Sequence, residues 1–393
     1  MITLGIETSC DETALALIET REHDGVLECR IISSLVHSQA ALHSAYGGVF
    51  PSLAKREHGK NLVPLLRKLF EYGCPTSGNI SDQQYISILA TFKENISLQN
   101  PDLWQSLSGA DFLKNIPKID RIAITEGPGL EPALWVGINF AKVLSLLWGI
   151  SLVAVNHMEG HIYGSLLDTH LPAGTWQAVK QPAWPALALL VSGGHTELVQ
   201  VEDGRKYTII GATRDDAVGE AFDKAARLLD LPYPGGPHIS LLADQARKEN
   251  IISEIKLPRP MMDSKDLDFS YSGLKTALLY AVRDLRKDGA NLDEKTKKAL
   301  AREFEEAAVE TLLFKLKMAL AQSEYHSLII GGGVSANRFL VENLTQIATD
   351  FHLPLYLPTR QTSGDNALMI ALAGSFSSET RREIRAHGTM RLS

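Results

Sequence analysis

"ALALLVSGGHTELVQVED", residues 186–203, reads as an apolar strand, a tight turn of small and polar residues, and a second strand. Residues 2–19, "ITLGIETSCDETALALIE", have the same form. Placing Ser192 on Ser9 also places Thr196 on Thr13 and Leu198 on Leu15. Leu4, Ile6, Leu15 and Leu17 alternate with other residues, as strand positions do. The two stretches read as an internal duplication at long period.

A second matched pair lies downstream of these hairpins. "RIAITEGPGLEPALWVGINFAKVLSLL", residues 121–147, is a strand, a Gly-Pro-Gly turn and a helix. "SLIIGGGVSANRFLVENLTQI", residues 327–347, is a strand, a Gly-Gly-Gly turn and a helix. One glycine turn is a weak signal, because glycine often serves only a sharp bend. Turns of this type recurring in matched halves are stronger, since their N–H groups and the helix N-termini behind them can cradle phosphate. Helical spacing marks "KREHGKNLVPLLRKLFEYG", "GEAFDKAARLLDL" and "DEKTKKALAREFEEAAVETLLFKLKMALAQ".

The expected fold is α/β: a duplicated, two-lobe arrangement with phosphate-type loops on a central cleft. The expected organisation is a first lobe over 1–155, a second over 156–365, and a C-terminal helix and tail over 366–393 that returns to the first. Residues 73–117 are polar, rich in Asn and Ser, and break the strand–helix rhythm. They read as an inserted surface excursion.

The chain has 393 residues, more than one compact core accommodates. Its 45% hydrophobic and 22% charged residues are ordinary for a globular protein. A net charge of −7 is the wrong sign for binding nucleic acid unaided, so a polynucleotide substrate requires a local basic patch or a partner. Cys10, Cys29 and Cys74 have no paired spacing, which fits a reducing compartment. The opening residues start a strand pattern without a leader signature, and no apolar run reaches spanning length. The expected location is the cytoplasm. The basic end, "RREIRAHGTMRLS", is either a solvated tail or a nucleic-acid contact.

"VNHMEGHIYG", residues 155–164, places His157 and His161 one helical turn apart on one face. Two imidazoles so spaced can reach one cation. Glu159 does not occupy the position of a metalloprotease base, so "HMEGH" is not HExxH. The alternative is a helix start whose histidines bond backbone or carboxylates. A third ligand would favour the metal. "TSGDNALMIALAG", residues 362–374, offers Asp365 or Asn366 before a strongly apolar helix, where such a residue is often only a cap. Two His and a carboxylate with open positions suit iron or zinc.

Several motifs, "GIETSCDET", "HMEGH", "LLVSGGHTELV", "GEAFDKAARLL", "YPGGP", "FSYSGLKTA" and "GGGVSAN", together resemble the TsaD family of tRNA threonylcarbamoyladenosine biosynthesis proteins, in its bacterial form. The resemblance runs from residue 2 to about 372, apart from 73–117. It implies an actin-like, sugar-kinase-like fold. It also implies transfer of a threonylcarbamoyl group from threonylcarbamoyl-AMP to N6 of the adenosine 3′ to the anticodon, in tRNAs reading codons that begin with A. By resemblance His157, His161 and Asp365 are metal ligands, with Fe2+ the implied ion and Zn2+ its alternative. Leu190, Val191, Ser192, Gly193 and Gly194 match the substrate loop. Asp223, Gly236 and Asn337 match the other substrate contacts, and Asp11 and Glu12 an acidic pair. The implied partners are tRNA, a TsaB-like paralogue and a TsaE-like ATPase. Glu131-Pro132 and Ser363-Gly364 depart from the common pattern but leave the ligand Asp365 intact.

The donor is a mixed anhydride, already activated, so no protein nucleophile is required. Asp11 is a candidate general base or orienting group, and equally an Asx-type turn residue. Lys224 reads as an ion-pair residue. Ser272 and Lys275 read as lining or capping. Ser9 and Ser192 lack the setting of an activated serine. The rival activities are a metal-dependent endopeptidase, which leaves the glycine turns unexplained, and an actin-like ATPase or regulatory protein, which leaves the histidines unexplained.

Overall fold

The computed structural model describes residues 1–393 except 204, 287–290, 378, 382 and 393. The chain forms two compact units, one comprising 1–42, 49–180 and 364–392, the other 43–48 and 181–363.

The first unit begins with β1 (Ile2–Glu7), β2 (Glu12–His23) and β3 (Val26–Ser38), followed by α1 (Ala40–Ser44) and α2 (Pro51–Glu71). Next come β4 (Thr76–Asn79), α3 (Asp82–Gln99), α4 (Pro101–Ser108), β5 (Asn115–Pro117) and β6 (Arg121–Gly127). The unit continues with α5 (Glu131–Trp148), β7 (Ser151–Asn156), α6 (His157–Gly164) and β8 (Trp176–Ala178). Its sheet runs β7-β6-β1-β2-β3-β8. The second unit has β9 (Ala186–Val191), β10 (Thr196–Val201), β11 (Tyr207–Ala212), α7 (Val218–Leu228), α8 (Gly235–Lys248), α9 (Ser272–Leu285) and α10 (Glu294–Gln322). It ends with β12 (Ser327–Gly331), α11 (Arg338–Asp350), β13 (Leu355–Tyr356) and α12 (Arg360–Ser363), in the sheet order β11-β10-β9-β12-β13. The chain then gives α13 (Ala367–Phe376) to the first unit.

The duplication holds at the level of register. Glu7 pairs with Ala14 and Ile6 with Leu15 in the first hairpin, as Leu190 pairs with Glu197 and Leu189 with Leu198 in the second. In each unit the first strand is antiparallel to the second and parallel to the strand that precedes a glycine turn. The predicted duplicated α/β fold is therefore the observed one. Strands buried on both faces explain continuous apolar runs such as "ALALLV", all six residues of which are buried.

Residues 73–117 differ from the expected surface excursion. They form β4, α3, α4, a 3₁₀ turn and β5. Tyr85, Leu89, Ile96, Leu103, Leu107 and Leu113 are buried in the core of the first unit. Gly59 of α2 makes room for the start of α4, since a Cβ there would lie 2.8 Å from Leu103 N. Ser81 and Gln84 form a capping box on α3. The polar composition belongs to the outer faces and concealed a sparse apolar stripe.

The C-terminal tail also packs on the first unit. Ile384, Ala386 and Leu392 are buried, His387 N donates to Glu126 O, and Gly129 N donates to Gly388 O. Of the tail's arginines, Arg382 lies outside the described residues.

Candidate metal centre and glycine-turn site

In the first unit, α6 places its two histidines and α13 brings the carboxylate to them. Asn156 caps α6, its Oδ1 accepting from Met158 N at 2.9 Å and Glu159 N at 3.4 Å. Asn366, not Asp365, caps α13 by accepting from Met369 N at 3.0 Å. Asp365 is thus left to face the histidines. The close approach of α13 depends on missing side chains: a Cβ at Gly160 would lie 2.9 Å from Ile370 Cδ1, and one at Gly5 2.3 Å from Ala367 O. Burial of Leu368, Met369, Ile370 and Leu372 seats the helix at about 1.5–3 kcal/mol per side chain.

The ligand atoms of His157, His161 and Asp365 lie within 4.8 Å of one another. Asp365 Oδ1 is 3.3 Å from His157 Nε2 and 3.4 Å from His161 Nε2. The rings meet edge to face, with centroids 4.7 Å apart. His161 is fully buried, and neither of its ring nitrogens makes a hydrogen bond among the described residues. A buried imidazole without a hydrogen bond is costly as a structural feature but natural for a ligand. The donor set of two nitrogens and a carboxylate oxygen fits a divalent transition-metal ion.

On its other side, His157 Nδ1 is 3.0 Å from Glu7 Oε2 and 3.3 Å from Ser9 Oγ. Burial alone would push His157 down, but Asp365 and Glu7 hold it well above its ordinary value. Burial pushes His161 down despite Asp365, and His157 adds to the effect. Burial would raise Asp365, yet the histidines hold its carboxyl far below the usual range. Two neighbouring imidazoles are thereby driven apart, a pattern typical of functional sites.

The acidic pair of the first turn belongs to the same neighbourhood. Burial, then Asp365 and Asp11, push the Glu12 carboxyl up, and its Oε1 accepts from Ser38 Oγ at 3.1 Å. Burial, then Asp11 and Asp365, raise the Cys10 thiol. Cys10, Cys29 and Cys74 are all free thiols. His58 of α2 steadies this turn: its Nε2 donates to Cys10 O at 3.0 Å, and its Nδ1 lies 2.8 Å from Thr13 Oγ1.

In the second unit, the glycine turn is built on a hydroxyl. Ser192 Oγ accepts from Gly194 N at 3.3 Å and His195 N at 3.1 Å, and Ser192 O accepts from Gly219 N at 3.2 Å. Of the donors expected from this turn, Gly194 N is therefore already engaged. Leu190 and Val191 are buried strand residues beneath it. Cβ atoms at Gly193 and Gly194 would meet nothing, whereas one at Gly219 would lie 2.5 Å from Ser192 O. Asp223 Oδ1 accepts from Gly235 N at 2.7 Å, at the start of α8, and Gly236 is the next residue. Asn337 caps α11 through Leu340 N at 2.8 Å and donates to Ser240 Oγ at 2.8 Å and Glu305 Oε1 at 2.7 Å. Lys224 pairs with Asp216 and Glu220, each at 2.8 Å, and Lys275 with Asp216 at 3.0 Å. Ser272 Oγ donates to Asp215 at 2.5 Å.

The structure thus brings His157, His161, Asp365, Asp11 and Glu12 together in the first unit. Ser192–Gly194, Asp223, Gly236 and Asn337 all lie in the second. Sequence reading missed Glu7, Gly5, Gly160 and His58. The available signal for Glu7 was a carboxylate at the end of β1, at a position where the duplicate strand carries Leu190.

A family profile described as "TsaD: tRNA N6-adenosine threonylcarbamoyltransferase" matches residues 30–74 and 110–372, omitting much of the α3–α4 insertion. A curated tRNA N6-adenosine threonylcarbamoyltransferase of Paraburkholderia xenovorans is 40% identical over 375 residues, covering 95% of this chain and 92% of that one. One of Nitrosospira multiformis is 38% identical over 380 residues, covering 97% and 92%. Among solved structures, full-length HypF in a phosphate- and nucleotide-bound form aligns with a TM-score of 0.48 at 11% identity, covering 95% of this chain and 45% of that one.

Proposed function

The chain belongs to the TsaD family, the tRNA N6-adenosine threonylcarbamoyltransferases, and from that premise we propose how its residues share the reaction. The protein is an acyltransferase that modifies N6 of adenosine in tRNA. The proposed donor is threonylcarbamoyl-AMP and the proposed acceptor the adenosine 3′ to the anticodon, in tRNAs reading codons that begin with A. The N6 amine attacks the carbamoyl carbon, the bond to the phosphate oxygen breaks, AMP leaves with that electron pair, and one amine proton is lost.

His157, His161 and Asp365 are proposed to hold one divalent cation, Fe2+ or Zn2+. The observation that carries this is the buried His161, without a hydrogen bond, beside Asp365 and His157. When bound, such an ion supplies Lewis acidity and neutralises charge on donor oxygens. Asp11 is assigned to orient the attacking amine and receive its proton. Ser192 shapes the turn whose Gly193 N–H faces phosphate or oxyanion. Leu190 and Val191 anchor that turn, and Gly194 keeps it open. Asp223 is assigned the ribose hydroxyls, and Gly236 permits close approach because it has no side chain. Asn337, engaged with Glu305 and Ser240, is assigned to hold its loop in a binding shape. The two lobes are proposed to follow the compact units, 1–42 with 49–180 and 364–392, and 43–48 with 181–363, in place of a division at 155/156. A TsaB-like paralogue, a TsaE-like ATPase and a cytoplasmic location complete the proposal. No helix among the described residues is long and apolar enough to cross a membrane.

The test combines this protein, a donor-forming enzyme, candidate partners and unmodified tRNA, and reads the modified nucleoside by mass spectrometry. Product is expected, its loss on chelation, and its return with Fe2+ or Zn2+. Product undiminished in metal-free protein would overturn the cation assignment. Casein cleavage lost in His161→Ala, without nucleoside product, would favour an endopeptidase. ATP hydrolysis without product would favour an ATPase.

A further inference from the structure

We propose that Glu7 is the positioning residue of the cation centre: its carboxylate holds His157 through Nδ1, so that Nε2 is the atom presented beside Asp365 and His161. This rests on the cation reading above.

Glu7 is 0% exposed, at the end of β1. A carboxylate can only accept, so His157 Nδ1, 3.0 Å from Oε2, must be the donor. The remaining ring nitrogen, Nε2, is the one 3.3 Å from Asp365 Oδ1. Glu7 is itself fixed by Ser9 N, which donates to Oε1 at 2.5 Å, and by Thr125 Oγ1, which donates to Oε2 at 2.6 Å. A carboxylate behind a ligating imidazole fixes both tautomer and ring orientation.

The molecule contains its own control. Under the register shared by the hairpins, the position of Glu7 in the second unit is Leu190, also 0% exposed. The strand end therefore does not require a carboxylate to fold. Burying an ionised carboxylate is unfavourable unless it is paired and hydrogen-bonded. In the first unit the same strand end faces His157, and there alone the carboxylate occurs.

The test is Zn2+ affinity by chelator competition, and the Co2+ ligand-field spectrum, for the full chain and for Glu7→Gln and Thr125→Val. Gln keeps the size of Glu, and Thr125→Val removes one support of Glu7 without touching His157. Glu7→Gln is expected to weaken Zn2+ by about tenfold or more and to alter the Co2+ spectrum, with metal-free melting near that of the parent. Thr125→Val, which removes one of the bonds that fix Glu7, is expected to weaken Zn2+ less than Glu7→Gln does. In the parent protein, bound 113Cd is expected to couple to Nε2 of both histidines. A loss below about threefold in Glu7→Gln, an equal loss in Thr125→Val, or coupling through His157 Nδ1 overturns the assignment. A parent that binds no Zn2+ or Co2+ overturns the cation reading and this inference together. A parent that binds while Glu7→Gln binds equally overturns only the role of Glu7.

Discussion

The two units repeat one strand order and one hairpin register, yet their turns are built from opposite chemistry. After β1 the chain runs Ser9-Cys10-Asp11-Glu12, and after β9 Ser192-Gly193-Gly194-His195. The first turn is acidic and lies among Asp365 and two histidines. The second turn is glycine, shaped by backbone N–H groups on a serine hydroxyl. The residue that follows each turn is the same. Thr13 bonds His58 of α2 at 2.8 Å, and Thr196 Oγ1 accepts from Val218 N of α7 at 2.8 Å. Packing positions have kept their role through the duplication, and turn positions have diverged. Under the proposed function, the first turn borders the residues that would hold a cation and the second faces an anion.

The comparison breaks most readily at the histidine cluster. Asp365→Ala is expected to lower divalent-ion affinity at least about 100-fold, beyond what an outer partner contributes, and nucleoside formation with it. Metal content per chain and product yield check this, and retained stoichiometric metal would remove Asp365 from the ligand set. The glycines come next. Gly5→Ala places a Cβ 2.3 Å from Ala367 O and displaces α13, at about 1–3 kcal/mol of stability. Gly194→Ala meets nothing and is expected to change stability by less than about 0.5 kcal/mol. Denaturant titrations of the two variants should therefore differ sharply, and equal losses would show that this position of β1 and the second turn are under the same packing constraint.

A smaller effect concerns Asp215. It accepts from Tyr271 N at 2.8 Å, Ser272 N at 3.2 Å, and the Ser270 and Ser272 hydroxyls, each at 2.5 Å. Burial opposes its ionisation, but these four bonds hold its carboxyl below the ordinary value. A folded pKa below the unfolded one adds stability that is present above about pH 4 and lost as the pH falls through the folded pKa. Asp215→Asn is expected to flatten that acid limb in stability measured against pH, and an unchanged limb would contradict it. Ser192→Ala acts on the second turn alone, removing the hydroxyl that holds Gly194 N and His195 N. It is expected to cost about 1 kcal/mol and to raise the donor KM more than it lowers kcat. An unchanged KM would leave the turn without a binding role.

The duplicated fold and the histidine pair were legible because both are local patterns: alternation within a strand, and an i, i+4 spacing within a helix. Spacing alone did not decide which of Asp365 and Asn366 faces the histidines, because either can cap a helix; only the family resemblance pointed to Asp365. The segment was rightly read as an insertion, but its surface character was misread because Tyr85, Leu89 and Ile96 are spread thinly among polar residues, and only the folded core of the first unit shows what they pack against.

By itself the sequence determined the repeated strand–turn–strand order, the candidate ligands and the family motifs, since periodicity and spacing are properties of neighbouring residues. Only the tertiary structure decided which surfaces the returning α13 packs on, β1 and α6, and that Glu7 stands behind His157. Those juxtapositions join residues far apart in the chain. They depend on glycines at Gly5 and Gly160, where an absent side chain allows close approach and leaves no periodic trace.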